Sequence, residues 1–264
     1  MQFKDQLGNT ITISKTPQRI ISLVPSQTEL LIDLGLDERV VGVTKFCVHP
    51  YELRAQKTVV GGTKQVNLDK IKGLNPDLII ANKEENTKEM VAQLQKVAPV
   101  WVSDVNTLED SYRLIEQFGV ICDVTKAAER LVSQIKSKQR AFEDIMKDVS
   151  IVKTIYFIWN EPMMGAGSPT FIDQLLRLNK FENLLDDPPG RYPKVSTNTI
   201  KEAEMLLLSS EPFPFKATHV VDFNKTYKKP CVAVDGEYFS WYGSRLLKAF
   251  DYFEKLQRSL DRIV

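Results

Sequence analysis

Hydrophobic positions along this chain follow two alternating patterns. Short runs of consecutive apolar residues are separated by stretches in which apolar residues recur every three or four positions. The longest stretch of the second kind, Thr125 to Val149, contains no Gly and no Pro. Its apolar residues are Ala127, Ala128, Leu131, Val132, Ile135, Ala141, Phe142, Ile145, Met146 and Val149. That spacing marks one face of a helix. Asp123 or Thr125 can cap its start, and at 1.5 Å per residue it spans about 35 Å. Taken alone it is an ordinary amphipathic helix. Similar strand and helix patterns on both sides of it give it the character of a strut between two lobes.

Before the strut, Phe3 to Ile13 reads as a small hairpin turning at Gly8-Asn9. Arg19 to Val24 is a buried strand stopped by Pro25, and Ser26 with Glu29 has the spacing of a capping box opening a helix. Further strands are expected at Val40–Val43, at Val59-Val60 before Gly61-Gly62, at Leu78–Ala81 and at Val100–Val102. Helices are expected at Asn67–Gly73, Asn86–Val97 and Leu108–Phe118. After the strut, Thr154–Trp159, Met205–Leu208, His219–Val221 and Val232–Val234 read as strands. Thr170–Leu178, Thr197–Ala203 and Ser244–Leu260 read as helices, and Pro188-Pro189-Gly190 as a turn. The loop from Ser209 to Lys216 has no clear assignment. Strands alternating with helices imply mostly parallel sheets. The expected fold is therefore α/β, with two lobes joined by one long backbone helix and a ligand cleft between them. The boundaries are 1–123, 124–149 and 150–264. Val66–Ile71 and Val195–Ile200 each open a short helix before a strand, a faint echo between the halves.

The 264 residues are 43% hydrophobic and 26% charged, with a formal net charge of +1. That balance fits a globular chain with enough core for two lobes and argues against general attraction to nucleic acid. No apolar run approaches the ~20 residues of a membrane span. The three cysteines, Cys47, Cys122 and Cys231, form neither a disulfide framework nor a CxxC zinc pattern. Gly165–Pro169 lacks the G-K-[ST] ending of a phosphate loop, and no G-x-S-x-G elbow is present. The opening residues lack the basic-then-apolar order of a signal peptide. That fits a cytoplasmic protein if Met1 is the native start.

The ordered segments RIISLVPSQTELLIDLGL, VVGVTKF, VNLDKIKGLNPDLIIA, PTFIDQLLRLNKFENL, YPKVS and DGEYFSWYGSRLL, together with the strut, carry a resemblance. The chain resembles the class III periplasmic binding proteins, the helical-backbone metal-chelate receptors of ABC importers, and within them the cobalamin-binding proteins. The resemblance implies two stiffly joined lobes, a periplasmic or cell-envelope location, a metal chelate as ligand, an ABC permease as partner, a monomer, and no catalysis or catalytic cofactor. In importer-coupled members each lobe presents a docking Glu. The matching positions here are Asp69 and Asn198, one carboxylate shortened and one replaced by an amide, which weakens a charge-paired contact.

Ligands of such folds sit beyond strand ends, at helix starts. In the first lobe this selects Pro25, Ser26, Gln27, Phe46, Cys47, His49, Thr63 and Lys83. In the second it selects Trp159, Met163, Met164, Tyr192, Tyr238, Phe239, Trp241, Tyr242 and Arg245. Four aromatics lie within Tyr238–Tyr242, and neighbours in an extended segment point to opposite sides. They are therefore expected to form an aromatic wall for a flat macrocycle, with Phe46 and His49 opposite. The bland alternative is a core plug before the last helix. His49 could ligate cobalt or iron through its imidazole, although Cys47-Val48-His49 alone is a poor zinc motif. The bland alternatives are a loop histidine and a small buried Cys47. His219 is expected to be structural. Three readings remain open: a corrinoid-binding component of an importer, with siderophore or haem as other ligands; an intracellular chelate-binding or sensing protein that docks to no permease; and an α/β enzyme, which lacks any visible triad or metal set.

Overall fold

The computed structural model describes residues 1–186 and 190–263; Pro188 and Pro189 of the expected turn lie outside them. The chain divides into two compact units. The first holds Met1–Val105, Glu109–Ile135 and Tyr242–Arg245; the second holds Asn106–Leu108, Lys136–Trp241 and the described residues from Leu246 on.

In the first unit, β1 (Gln2–Lys4) and β2 (Thr10–Thr12) form the expected antiparallel hairpin. Then follow β3 (Ile20–Ser22), α1 (Pro25–Asp33), β4 (Val40–Thr44), α2 (Leu53–Gln56), β5 (Thr58–Gly61), α3 (Leu68–Gly73), β6 (Leu78–Asn82), α4 (Lys88–Leu94), β7 (Val100–Ser103) and α5 (Leu108–Ile121). Strands β3 to β7 make one parallel sheet in the order β5-β4-β3-β6-β7. The first strand of that sheet therefore lies centrally, and the chain reverses its direction of growth between β3 and β6. Both faces of the sheet are covered, so its strands are continuous apolar runs: Leu78, Ile79, Ile80 and Ala81 have no exposed surface. Ile21, Leu23, Val60, Ile71, Leu94 and Val100 fill one side.

Helix α6 (Thr125–Ile145) begins in the first unit and ends in the second. Its buried stripe is Ala128, Leu131, Val132, Ile135 and Phe142, continued by Met146 in the turn beyond its end. It stops one turn short of the expected Val149, where the backbone loosens into turns.

The second unit contains β8 (Val152–Trp159), β9 (Met164–Gly165), α7 (Phe171–Leu178), β10 (Phe181–Asn183), α8 (Thr197–Glu202), β11 (Met205–Ser209), α9 (Ala217–Tyr227), β12 (Cys231–Val234), α10 (Gly236–Ser240) and α11 (Leu246–Ser259). Its parallel strands run in the order β10-β8-β11-β12, and β9 turns back against β8. Here the reversal falls between β8 and β11. Ile155, Phe157, Leu206, Leu208 and Phe223 form the core on one side. Phe142 of α6 packs against Phe250 and Phe253 of α11, with ring centroids 6.1 and 5.9 Å apart.

Three expectations are corrected. His219–Val221 lies in helix α9, not in a strand. Phe215, His219, Phe223 and Tyr227 recur every four residues; Phe215 lies edge-on to His219 at 5.6 Å and to Phe223 at 6.0 Å, and Phe223 edge-on to Tyr227 at 5.3 Å. That helical periodicity outweighs the short apolar run. Ser26 and Glu29 form no capping box. Pro25 occupies the first helical turn, where it has no N–H to satisfy, and no side chain caps α1. Glu29 instead pairs with Arg245, Nε to Oε2 at 2.8 Å, both side chains 5% exposed. Finally, α4 starts at Lys88 behind a Thr87 cap, because Asn86 is engaged by Asn82 and Thr63.

Removing one member of a buried ion pair leaves the other charge without compensation, at a cost of ~3–5 kcal/mol. Glu29→Ala should therefore lower the unfolding free energy by about that much in urea titration. A loss below ~1 kcal/mol, the range of exposed pairs, would mean that solvent reaches Arg245.

Candidate functional site

Several strands of the two sheets end in polar residues that are nevertheless buried. Ser22, Thr44, Asn82 and Ser103 close β3, β4, β6 and β7, and Ser209 closes β11; none is more than 4% exposed. Buried polar groups must find partners. How they do so differs between the two units.

In the first unit the partner is a piece of the chain's own C-terminal region. The Tyr242 hydroxyl accepts hydrogen bonds from Gln27 Nε2 at 2.8 Å and Asn82 Nδ2 at 3.0 Å. The same two amides donate to Ser103 Oγ at 2.5 and 3.0 Å. Gly243, with φ of +87°, donates its N–H to Ser111 Oγ at 3.0 Å and lies against Leu30. Arg245 completes the insertion on Glu29. Burial pushes the Tyr242 phenol up to about 12, so it stays protonated. This cluster lies at the β3–β6 reversal, the crevice where open α/β sheets receive ligands. Here Tyr242 fills it.

The remaining first-unit candidates divide by exposure. Pro25 is half-buried, while Ser26 and Gln27 are buried inside this network. Cys47 has no exposed surface; its Sγ lies 3.1 Å from Thr28 Oγ1 and 3.3 Å from Thr44 Oγ1. Burial raises its thiol above the ordinary value, so it is a small core residue, not a thiolate ligand. Phe46, by contrast, is 49% exposed, with Lys45 Nζ 5.0 Å from its ring centroid. His49 and Thr63 are half-buried. Lys83 is exposed and paired with Asp104 at 2.7 Å. Glu85, which sequence reasoning passed over, is held beside Thr63; burial raises its carboxyl above the ordinary value, against the pull of Lys64. Among the described residues no group of three or more His, Cys, Asp or Glu side chains is arranged to hold a metal ion. The expected metal role of His49 thus gains no companion ligands.

In the second unit, the β8–β9 turn and the 191–195 segment gather Trp159, Met163, Met164 and Tyr192. Trp159 is paired with Met164 in register, Met164 bridges Lys194, and Gly165 N donates to Pro193 O. Trp159 is 41% exposed, its indole N–H donating to Glu161 O at 3.0 Å and its ring edge-on to Phe213 at 5.7 Å. Tyr192 is 37% exposed. Met163 accepts a contact from the Tyr227 hydroxyl at 3.2 Å.

The aromatic wall is corrected. Residues 236–240 are helical, so successive rings fan around an axis instead of alternating. Phe239 has no exposed surface and packs on Phe253 at 4.9 Å and Tyr156 at 5.3 Å. Tyr238 stacks on Tyr252 at 4.6 Å. Trp241 is 9% exposed and Tyr242 enters the first unit's network. Arg245 is likewise buried on Glu29. The bland alternative, a core plug, describes Phe239 best.

Among the described residues, the aromatic side chains most open to solvent are Phe46, Tyr51, Trp159 and Tyr192. Phe46, Tyr51 and Tyr192 sit on loops, and Trp159 is the last residue of β8. Tyr51 was missed; as the only aromatic in the run after Val48-His49-Pro50, it carries no periodic signal. Asp69 and Asn198 are both exposed, each the second residue of its short helix. The two helices are capped alike, Asn67 accepting from Lys70 N and Ser196 from Thr199 N. The faint sequence echo is therefore a repeated local structure.

Comparison with known proteins agrees with this architecture. The vitamin B12-binding protein of Pectobacterium carotovorum is 27% identical over 88% of this chain and 86% of its own length. An uncharacterized ABC transporter substrate-binding lipoprotein of Bacillus subtilis, YvrC, is 26% identical over 94% of this chain and 82% of its own. Among solved structures, the periplasmic vitamin B12-binding protein BtuF of Vibrio cholerae superposes with a TM-score of 0.79 at 18% identity, covering 94% of this chain and 99% of that one. The model of the periplasmic binding protein family matches residues 20–209, and the chain belongs to that family.

Proposed function

We propose that this chain is the solute-binding component of an ABC-type importer, that it captures a metal chelate, and that the chelate is a corrinoid of the cobalamin class. The observation that carries the reading is the placement of its exposed rings. Phe46 and Tyr51 follow β4 in the first unit, and in the second Trp159 ends β8 and Tyr192 lies on a loop, while most other aromatics are internal. A flat, largely apolar macrocycle is held by such faces with few charges. The relatives named for vitamin B12 support the same ligand class. The candidate contacts are Phe46, Tyr51 and Thr63 among the first unit's residues and Trp159, Tyr192 and Met164 among the second's, with His49 the candidate axial ligand. The role is binding without chemistry, at the cell envelope, with a permease as partner.

Burying a few hundred Å² of macrocycle at ~25 cal/mol per Å² gives several kcal/mol before ordering costs. Removing one well-packed ring should cost ~1–3 kcal/mol, roughly ten- to a hundredfold in affinity. Phe46→Ala and Trp159→Ala should each weaken cobalamin in calorimetric titration by that much at unchanged melting temperature. Retention of haem or a ferric siderophore, but not cobalamin, after desalting would change the ligand. Retention of none of the three would end the chelate reading. An altered absorption spectrum of bound cobalamin confined to His49→Ala would identify axial ligation.

Docking has its own test. Asn198→Glu restores a carboxylate on an exposed first helical turn, and Asp69→Ala removes the one on α3. If these helices meet a cationic permease surface, the first change tightens binding to the cognate importer and the second loosens it, both more at low salt. Indifference to both would favour a chelate-binding protein that docks to no permease.

A further inference from the structure

We infer that Glu211 is the positioning residue of the second unit's aromatic face: its carboxylate fixes Trp241 and Ser240, and its loop fixes Phe213 under Trp159. The ligand half of this inference rests on the reading that Trp159 meets the chelate.

The geometry is a hub at the β8–β11 reversal. One carboxylate oxygen of Glu211 accepts from Ser240 Oγ at 2.6 Å and from Trp241 Nε1 at 3.1 Å. The backbone of the same residue is held on the same loop. Its N–H donates to Ser209 Oγ at 3.2 Å, and Ser209 Oγ donates back to its carbonyl at 2.6 Å. Ser209 Oγ in turn accepts from the buried Tyr156 hydroxyl at 3.0 Å. Two residues on, Phe213 N donates to Ile158 O at 3.2 Å, and the Phe213 ring supports Trp159. The loop therefore ties the end of β8 to the corner after α10.

A second observation points the same way. A Cβ at Gly236 would collide with Ser209 Oγ and Glu211 Cγ. Gly236 N also donates to Ser210 Oγ at 2.9 Å. The α10 start thus approaches the loop so closely that the glutamate side chain has its place only because residue 236 has no side chain.

If the carboxylate acts as an acceptor, an amide oxygen can replace it and a hydrocarbon cannot. The chain is labelled with 5-fluorotryptophan, and the Trp241 resonance is identified through Trp241→Phe. Glu211→Leu should shift or broaden that resonance, because it leaves the indole N–H and the Ser240 hydroxyl without their acceptor. Glu211→Gln should leave it in place. Gly236→Ala, which displaces the side chain while keeping its charge, should reproduce the Glu211→Leu signature even if Glu211→Leu fails to fold. Cobalamin affinity should fall about tenfold in Glu211→Leu and stay within about twofold in Glu211→Gln. A resonance unmoved by Glu211→Leu overturns the inference. Glu211→Gln as damaging as Glu211→Leu overturns it too, since charge and not acceptor geometry would be at work. A moved resonance with unchanged affinity overturns the ligand half. If the wild-type chain binds no chelate, the proposed function fails, while the resonance still decides whether Glu211 positions Trp241.

Discussion

The structure depends on how it satisfies polar groups at the buried ends of its strands. A phenol, a guanidinium, a carboxylate and two amides are withdrawn from water around Tyr242 and Arg245. Each would cost several kcal/mol if left alone and little when paired. That asymmetry makes the arrangement close to all-or-none. Tyr242 without Gln27 and Asn82, or Arg245 without Glu29, is worse than having neither. The residues come from α1, β6, β7 and a four-residue insertion more than a hundred residues downstream. The network therefore fixes the path of a chain segment whose neighbours on both sides belong to the second unit. Hydrophobic burial could not specify that path as sharply, because it has no direction.

The two units treat the same topological opportunity differently. Each parallel sheet reverses its order once, between β3 and β6 in the first unit and between β8 and β11 in the second. The first crevice is filled by the chain itself, with the Tyr242 and Ser103 hydroxyls met by the Gln27 and Asn82 amides. Chemistry offered outward from that unit must come from beyond the crevice, from the Phe46–Tyr51 loop and the Thr63–Glu85 contact. The second crevice is lined by the Glu211 loop and carries Trp159 at its rim. Thus the first face is built on a rigid internal plug, and the second on a loop whose own side chains set the rings.

The fold was legible where the sequence is redundant. Strands buried on both faces are continuous apolar runs, and Leu78–Ala81 could hardly be anything else. Helix α6 declares itself through many repeats of one spacing. Legibility failed where a few residues had to serve for many. His219-Val220-Val221 alone favours a strand; only the longer series Phe215, His219, Phe223, Tyr227 gives the helix away. Tyr238–Tyr242 failed for another reason. The wall assumed an extended backbone, and one helical turn sends Phe239 inward and Tyr242 into another unit's hydrogen bonds. Ser22, Thr44, Asn82, Ser103 and Ser209 did leave a signal, a small polar residue ending an apolar run. Their partners, Gln27, Tyr242 and Glu211, did not, because a hydrogen bond over long sequence separation leaves no periodicity behind.

These commitments bear on the ligand. A chelate rich in carboxylates or catecholates needs cations at its periphery, whereas one fringed by amides needs neutral donors and acceptors. Several cations near the strand ends are already engaged within the fold. Arg245 is buried on Glu29, Lys83 is held by Asp104, and Lys64 donates to the Glu84 carbonyl. Redirecting any of them would break a bond already made and expose its former partner. What each unit exposes without such a cost is aromatic surface, Phe46 and Tyr51 on the first and Trp159 and Tyr192 on the second. Surfaces of that kind suit a flat, largely apolar ligand with an uncharged fringe better than an anionic one, which supports the ligand class proposed above.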